Sequence, residues 1–201
     1  MTTAGSVAGV LAALVAGGAC AAGVLVPRRQ VVIPALFVQF VCAAVLFSSL
    51  PWALVIAYAV VGGCACGILA TTPISANSAE DSRQTDVPSG MSFRLVAVLL
   101  VGLASVALAR GVLGSNATLA PGVPVGAGLL VGLGLLQVGL SEEPLRVGSG
   151  LMAMIGGFEI GYTTVESAVA LHGLIIGVPL LIALIVAYLL VLSPAGSDTA
   201  R

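Results

Sequence analysis

Charged residues are scarce in this sequence of 201 residues: they make up 7% of it, and lysine does not occur at all. A soluble domain is about a quarter charged, so this chain cannot cover its own surface with polar groups. The net charge of −1 gives no basic surface for nucleic acid or for anionic lipid. With 59% hydrophobic residues and a mean hydropathy of +1.20, the chain is predicted to be an all-α integral membrane protein.

The motifs of soluble enzymes are missing as well. The sequence has a single histidine, no glycine-rich phosphate loop after a strand, no nucleophile elbow and no cluster of metal ligands. Its four cysteines lie inside apolar runs and none has the C-x-x-C spacing of a redox or zinc site, so they are interpreted as small apolar packing residues. We therefore predict no catalytic residue, cofactor site or metal site for this chain alone.

Long apolar runs dominate what is present. A membrane-crossing helix needs about 20 mostly apolar residues, and breaks such as "PRRQ", "SNATLAPG" and "SEEPLR" separate the runs. The last break, near "TTVES", is inferred because residues 148–192 are too long for one span. The runs predict a bundle of about seven transmembrane helices near 4–26, 31–49, 52–72, 93–113, 123–140, 148–166 and 168–192.

The arginines predict the orientation of this bundle. With the N-terminus outside and the C-terminus in the cytoplasm, six of the seven arginines lie on the cytoplasmic side, as the positive-inside rule requires. Only Arg110 falls near the outer end of a helix. The first segment has its arginines after the apolar run, which favours a retained helix over a cleaved signal. The exclusive use of arginine fits a GC-rich bacterial genome, so we expect a multi-pass protein of the bacterial inner (plasma) membrane.

A polar linker divides the chain. Residues 73–92 are rich in proline, serine and mixed charges, which is typical of a solvated loop, here on the cytoplasmic side. This loop separates a three-helix part, residues 1–72, from a four-helix part, residues 93–192. Residues 193–201 are interpreted as a cytoplasmic tail. Closely spaced glycines in "VGAGLLVGLGLL" and "GSGLMAMIGG" favour close helix packing in the second part.

One acidic residue stands out against this apolar background. Glu159 is placed about eleven residues into its predicted helix, or roughly 16 Å deep, near the middle of the membrane. A charge there costs several kcal/mol unless it is paired or hydrated, so a carboxyl that takes up and releases protons is one interpretation. The alternative is a permanently protonated side chain that bonds Tyr162 or Thr163 and holds helices together.

Three other ionisable residues have two interpretations each. Glu166 shares a face with Glu159 if the helix continues, or favours the N-terminus of the next helix if the chain turns at "TTVES". His172 is either a proton acceptor near the start of the last helix or a buried hydrogen-bonding group. Arg110 either extends to the outer interface or is a countercharge for an acid of a neighbouring subunit.

The C-terminal part resembles a known family. The stretch "GLGLLQVGLSEEPLRVGSGLMAMIGGFEIGY" is similar to the core of subunit K of NADH-quinone oxidoreductase and to the matching small subunit of multisubunit cation/proton antiporters. This residue-level likeness covers about residues 125–192. With the helices before it, the order of spans resembles the component E membrane subunit of hydrogenase-4-type complexes.

The resemblance implies a function and partners. The chain would be a non-catalytic membrane subunit of a redox-driven, proton-translocating complex, next to larger antiporter-like subunits, with its cofactors carried by other chains. By the resemblance, Glu159 would be the membrane carboxylate of a proton path, and Glu166 loosely matches the second acid of the family. His172 is added to this predicted path by its own chemistry, as a proton acceptor. Two alternatives stay open: a small transporter or channel that works alone, and a structural assembly subunit without a proton role.

Overall fold

A computed structural model describes residues 3–26, 28–47, 51–72, 90–115, 120–165 and 169–192, and all regular structure within them is helical. Glu166 and Ser167, together with most of the predicted linker and tail, lie outside the described residues. The seven helices of the described part are α1 (Thr3–Leu25), α2 (Arg29–Leu46), α3 (Trp52–Thr71), α4 (Met91–Ser115), α5 (Gly122–Gly139), α6 (Pro144–Tyr162) and α7 (Val169–Leu192).

Six of these helices are long and apolar enough to cross a membrane. The coarse prediction of a helical, multi-pass membrane bundle is therefore confirmed. The helix outside this set is α6, which has 19 residues but carries Arg146, Glu159 and several glycines. Burial accounts for its composition, because most of its side chains face other helices and its one exposed large hydrophobic residue is Phe158.

The helices form two layers. The first layer holds α4, α5, α6 and α7 in chain order, each packed on the next, and the second holds α1, α2 and α3 in the same way. Across the layers, α1 packs on α5, α2 on α6 and α3 on α7. Helix α6 therefore lies between three neighbours, α2, α5 and α7. Helix α4 lies at one edge, and most of its large apolar side chains are exposed.

Helices α5 and α6 pack so closely that their backbones are in contact. A Cβ atom at Gly134 would lie 2.6 Å from the carbonyl oxygen of Gly150, and one at Gly157 would lie 2.8 Å from the carbonyl oxygen of Ala127. Separations below 3.0 Å are closer than real Cβ contacts, so larger residues at these points would force the helices apart. The glycine-rich runs therefore serve close packing here.

The limits of α6 differ from the predicted span of 148–166. The helix begins at Pro144, directly after Glu143, because proline is favoured in the first turn, where its missing N–H has no helical partner. It ends at Tyr162, and turns follow over residues 163–165. Glu159 therefore lies in the last turn, about 22 Å from Pro144 along the axis, and the prediction of a position eleven residues into the helix is wrong.

The described arginines other than Arg110 collect at one end of the bundle. Arg29 of α2 donates to the carbonyl oxygens of Leu69 and Thr72 at the end of α3, the second at 2.8 Å. Arg146 donates to the carbonyl oxygen of Val24 at the end of α1, at 3.1 Å. A cation at a helix C-terminus also offsets the negative end of the helix dipole. We call this end, defined by Arg28, Arg29, Arg94 and Arg146, the arginine end.

Candidate functional site

The candidate site is built around Glu159 at the end of the bundle opposite the arginine end. Its side chain is 0% exposed. Neither carboxyl oxygen has a hydrogen-bond partner among the described residues. A buried polar group without a partner costs about 1–3 kcal/mol on mutational data, so this arrangement needs an explanation beyond stability.

The predicted bonding partners of Glu159 make other contacts. The Thr163 hydroxyl donates to the carbonyl oxygen of Ile160 at 2.7 Å, which completes the last turn of α6. The Tyr162 ring stacks on Phe158, with ring centroids 5.8 Å apart. Neither carboxyl oxygen of Glu159 has a hydrogen-bond partner in the described part of the chain, so the interpretation in which Tyr162 or Thr163 bonds this carboxyl is wrong there.

Tyr58 of α3 reaches the site from the other layer. The rings of Phe40 and Phe47, both contributed by the α2 segment, pack against its ring with centroids 5.3 and 4.8 Å away. Its hydroxyl lies against α6, where a Cβ at Gly156 would be 2.7 Å from the hydroxyl oxygen. Gly156 precedes Glu159 by three residues, so the two lie on the same side of α6. Tyr58 is therefore a member of the site, since the two phenylalanine rings direct it toward the turn of α6 that carries the carboxyl.

His172 joins the same end of the bundle from α7. Its side chain is 0% exposed, and its ring lies 5.6 Å from that of Tyr162, between centroids. Tyr162 follows Glu159 by three residues, so it lies on the same side of α6. We call Tyr58, Glu159, Tyr162 and His172 the carboxyl site. The structure thus brings Glu159, Tyr162 and His172 to one end of the bundle. Glu159 and His172 are two of the three residues predicted for a proton path, and their proton role stays a prediction.

The other predicted residues lie apart. Arg110 is exposed on α4, which packs mainly on α5, so it is not a countercharge for Glu159 within this chain. Its role toward a neighbouring subunit stays a prediction. Glu166 lies outside the described residues, so both of its interpretations stay open. Within the described residues no group of three acids, histidines or cysteines could hold a metal ion.

A second set of buried polar residues lies near the arginine end. The Gln137 amide nitrogen donates to the Ser149 hydroxyl at 2.5 Å, and that hydroxyl donates to the carbonyl oxygen of Arg146 at 3.0 Å. The Cys20 thiol lies 3.9 Å from the Gln137 side-chain oxygen, and Gln39 is buried beside them. We call Cys20, Gln39, Gln137 and Ser149 the polar cluster.

Sequence reasoning missed Tyr58 and this cluster. The available signal was the presence of a polar residue inside an apolar span, at Tyr58 in α3, Gln39 in α2 and Gln137 in α5. Arg146 was placed in a cytoplasmic loop, whereas it lies in the first turn of α6 and is buried.

The carboxyl site can exchange and pass protons. A carboxyl, a phenol and an imidazole each donate or accept a proton in a hydrogen bond, and none of these groups carries a fixed charge. The described cations lie at the arginine end, apart from exposed Arg110. In a comparison with known proteins, no family model, no curated protein and no solved structure matches this chain.

Proposed function

We propose that this chain is a non-catalytic membrane subunit of a redox-driven, proton-translocating complex, in which Glu159 takes up and releases a proton. The observation that carries the proposal is the complete burial of a carboxyl whose two oxygens have no partner in the described structure. A buried carboxyl without hydrogen bonds destabilises the fold, and this cost is consistent with a functional role in which the carboxyl binds and releases a proton.

Electrostatics supports a proton over a permanent charge. Moving an ionised carboxylate out of water costs several kcal/mol when no countercharge compensates it. Arg29 and Arg146 bond the ends of α3 and α1, far from the last turn of α6. A neutral carboxyl avoids this cost, and each cycle of proton binding and release passes through the costly charged state only briefly.

The neighbours of Glu159 supply routes for the proton. Tyr58 approaches from α3 and His172 from α7, so the carboxyl lies where three helices meet. A hydroxyl accepts one hydrogen bond while it donates another, and an imidazole does so through its two nitrogens. These two groups would connect Glu159 to the two flanks of α6, where larger subunits bind in the proposed complex.

The partners follow from the resemblance to component E and subunit K membrane subunits. Larger antiporter-like subunits of the bacterial inner membrane would flank the bundle, and flavin, iron–sulfur or nickel–iron chemistry would belong to other chains. The bundle offers extended apolar faces for such contacts or for lipid, most of all on α4, whose exposed residues include Leu99, Leu100 and Leu103.

The proposal is tested by Glu159→Gln in the native membrane, with Glu142→Gln as the matched control because Glu142 is exposed in the loop before α6. Inside-out vesicles are energised with NADH or with dihydrogen, and proton uptake is followed by quenching of an acridine dye. We expect Glu159→Gln to lose most of the uptake while the subunit still copurifies with its partners, and Glu142→Gln to keep it. Normal uptake in Glu159→Gln would overturn the proposal.

Carbodiimide labelling gives an independent measurement on the same carboxyl. The lipid-soluble reagent dicyclohexylcarbodiimide adds to protonated carboxyls in apolar surroundings. Peptide mass spectrometry should find the adduct on Glu159, and the exposed Glu142 should stay unmodified. A second possible outcome is that the purified protein is a monomer on native mass spectrometry and moves protons by itself in liposomes loaded with a pH dye. These two results together would show that the protein is a stand-alone transporter and not a subunit of a complex.

A further inference from the structure

A small cavity lies beside the polar cluster, where α1, α2, α5 and α6 meet. The polar side chains that line it are Cys20, Gln39, Gln137 and Ser149, and Gly23 contributes backbone. It has room for about one water molecule. A buried water molecule also needs two or more polar groups that bond it, and the polar lining can supply them. This combination of size and lining sets it apart from an apolar packing defect.

Gln39 points to a ligand in this cavity. Its side chain is 5% exposed and lines the cavity, yet its amide makes no hydrogen bond to another described residue. The opposite wall is already ordered, because Gln137 bonds Ser149 and Ser149 bonds the carbonyl oxygen of Arg146. A buried amide with unused donors and acceptors, facing an ordered polar wall, is the setting in which proteins hold buried water.

We propose that this cavity binds a water molecule between Gln39 and the Gln137–Ser149 pair and admits protons from the arginine end toward Glu159. The second half of this statement rests on the proposed function of Glu159. The position suits an entrance, because Ser149 follows Arg146 by one helical turn and Arg146 lies at the arginine end. By the positive-inside rule this end faces the cytoplasm.

The segment between the two sites acts as the barrier of such a path. Ser149 and Glu159 are separated by about 15 Å along α6. The buried side chains of Met152 and Ala153 occupy this interval. Gly157 contacts the backbone of α5 there. A proton that enters at the polar cluster therefore reaches Glu159 only when this packing opens, which prevents a free leak.

Thiol exchange tests the water site directly. Two single-cysteine chains are compared: one keeps Cys20, which lines the cavity, and the other keeps Cys66, which is also buried but is not among the residues that line the cavity. The assembled complex is transferred to D2O, and the infrared S–H band is followed. We expect the Cys20 band to be lost while the Cys66 band persists. Equal exchange of the two thiols would overturn the water site.

The proton role is tested by Gln39→Met, which keeps the length of the side chain and removes its amide. We expect the Cys20 S–H band to persist in D2O and vesicle proton uptake to fall severalfold, with carbodiimide labelling of Glu159 unchanged. Unchanged uptake would overturn the entrance. If Gln39→Met does not assemble, Ser149→Ala removes the hydroxyl of the opposite wall and carries the same expectation. Full uptake in Glu159→Gln, with fast Cys20 exchange retained, would instead refute the proposed function and leave the water site standing.

Discussion

Replacing Glu159 by methionine should make the protein more stable and inactive at the same time. The carboxyl is completely buried and its oxygens have no partner in the described structure. Removing an unsatisfied buried polar group recovers about 1–3 kcal/mol. Methionine is close to glutamate in length and adapts to irregular packing, and such volume-conserving exchanges cost less than about 1.5 kcal/mol. We therefore expect Glu159→Met to raise the free energy of unfolding by about 1 kcal/mol.

The sign of this change separates two roles of the residue. If Glu159 were a structural link between helices, methionine would remove hydrogen bonds and lower the free energy of unfolding by about 1 kcal/mol per bond. The measurement is equilibrium unfolding of the full chain in mixed micelles titrated with dodecyl sulfate and followed by the helical circular dichroism. Glu142→Met, at an exposed loop position, is the control and should change stability by less than about 0.5 kcal/mol. A loss of stability in Glu159→Met would refute the reasoning.

Three further predictions concern packing, the arginine end and topology. Gly157→Ala should cost about 1–3 kcal/mol more than Gly161→Ala in the same unfolding assay. A Cβ at Gly157 meets Ala127 oxygen at 2.8 Å and one at Gly161 meets only a Cβ at 3.6 Å, so equal costs would contradict the close approach of α5 and α6. Arg146→Gln should destabilise by about 1–3 kcal/mol because the guanidinium bonds the end of α1, whereas Arg28→Gln, at an exposed position, should change stability by less than about 0.5 kcal/mol. Reporter fusions should place the N-terminus outside and the C-terminus in the cytoplasm; termini on the same side would show an even number of crossings and exclude seven spans.

Hydropathy was enough to predict the helices, because burial in lipid requires an apolar run of a set length. The predicted starts near residues 52, 123 and 168 lie within one residue of those of α3, α5 and α7. The limits of α6 could not be predicted in this way. Its first turn is polar, and hydropathy assigns a polar segment to a loop because it does not consider burial against other helices. Arg146 became buried because the end of α1 supplies a carbonyl for it, and this contact joins residues 122 positions apart.

The chemistry of the carboxyl site was predictable only in part. A carboxyl in an apolar helix is visible in the sequence, so Glu159 could be identified. The approach of Tyr58 to Gly156 depends on how α3 crosses α6, which no local pattern encodes. The same holds for Gln39, whose neighbours come from three other helices. Tertiary packing decided which of the polar residues share a site.

The least apolar helix of the bundle is the one that carries both sites, and its position explains why. A polar side chain in lipid has no partner and is costly, so a helix that faces lipid must be apolar. Helix α6 is enclosed by α2, α5 and α7, and this enclosure allows Arg146 and Ser149 at one end and Glu159 at the other. Helix α4 has no such enclosure, and its exposed side chains are mostly apolar. The apolar helices α2, α5 and α7 therefore create around α6 the protein environment in which a buried carboxyl can be kept and used.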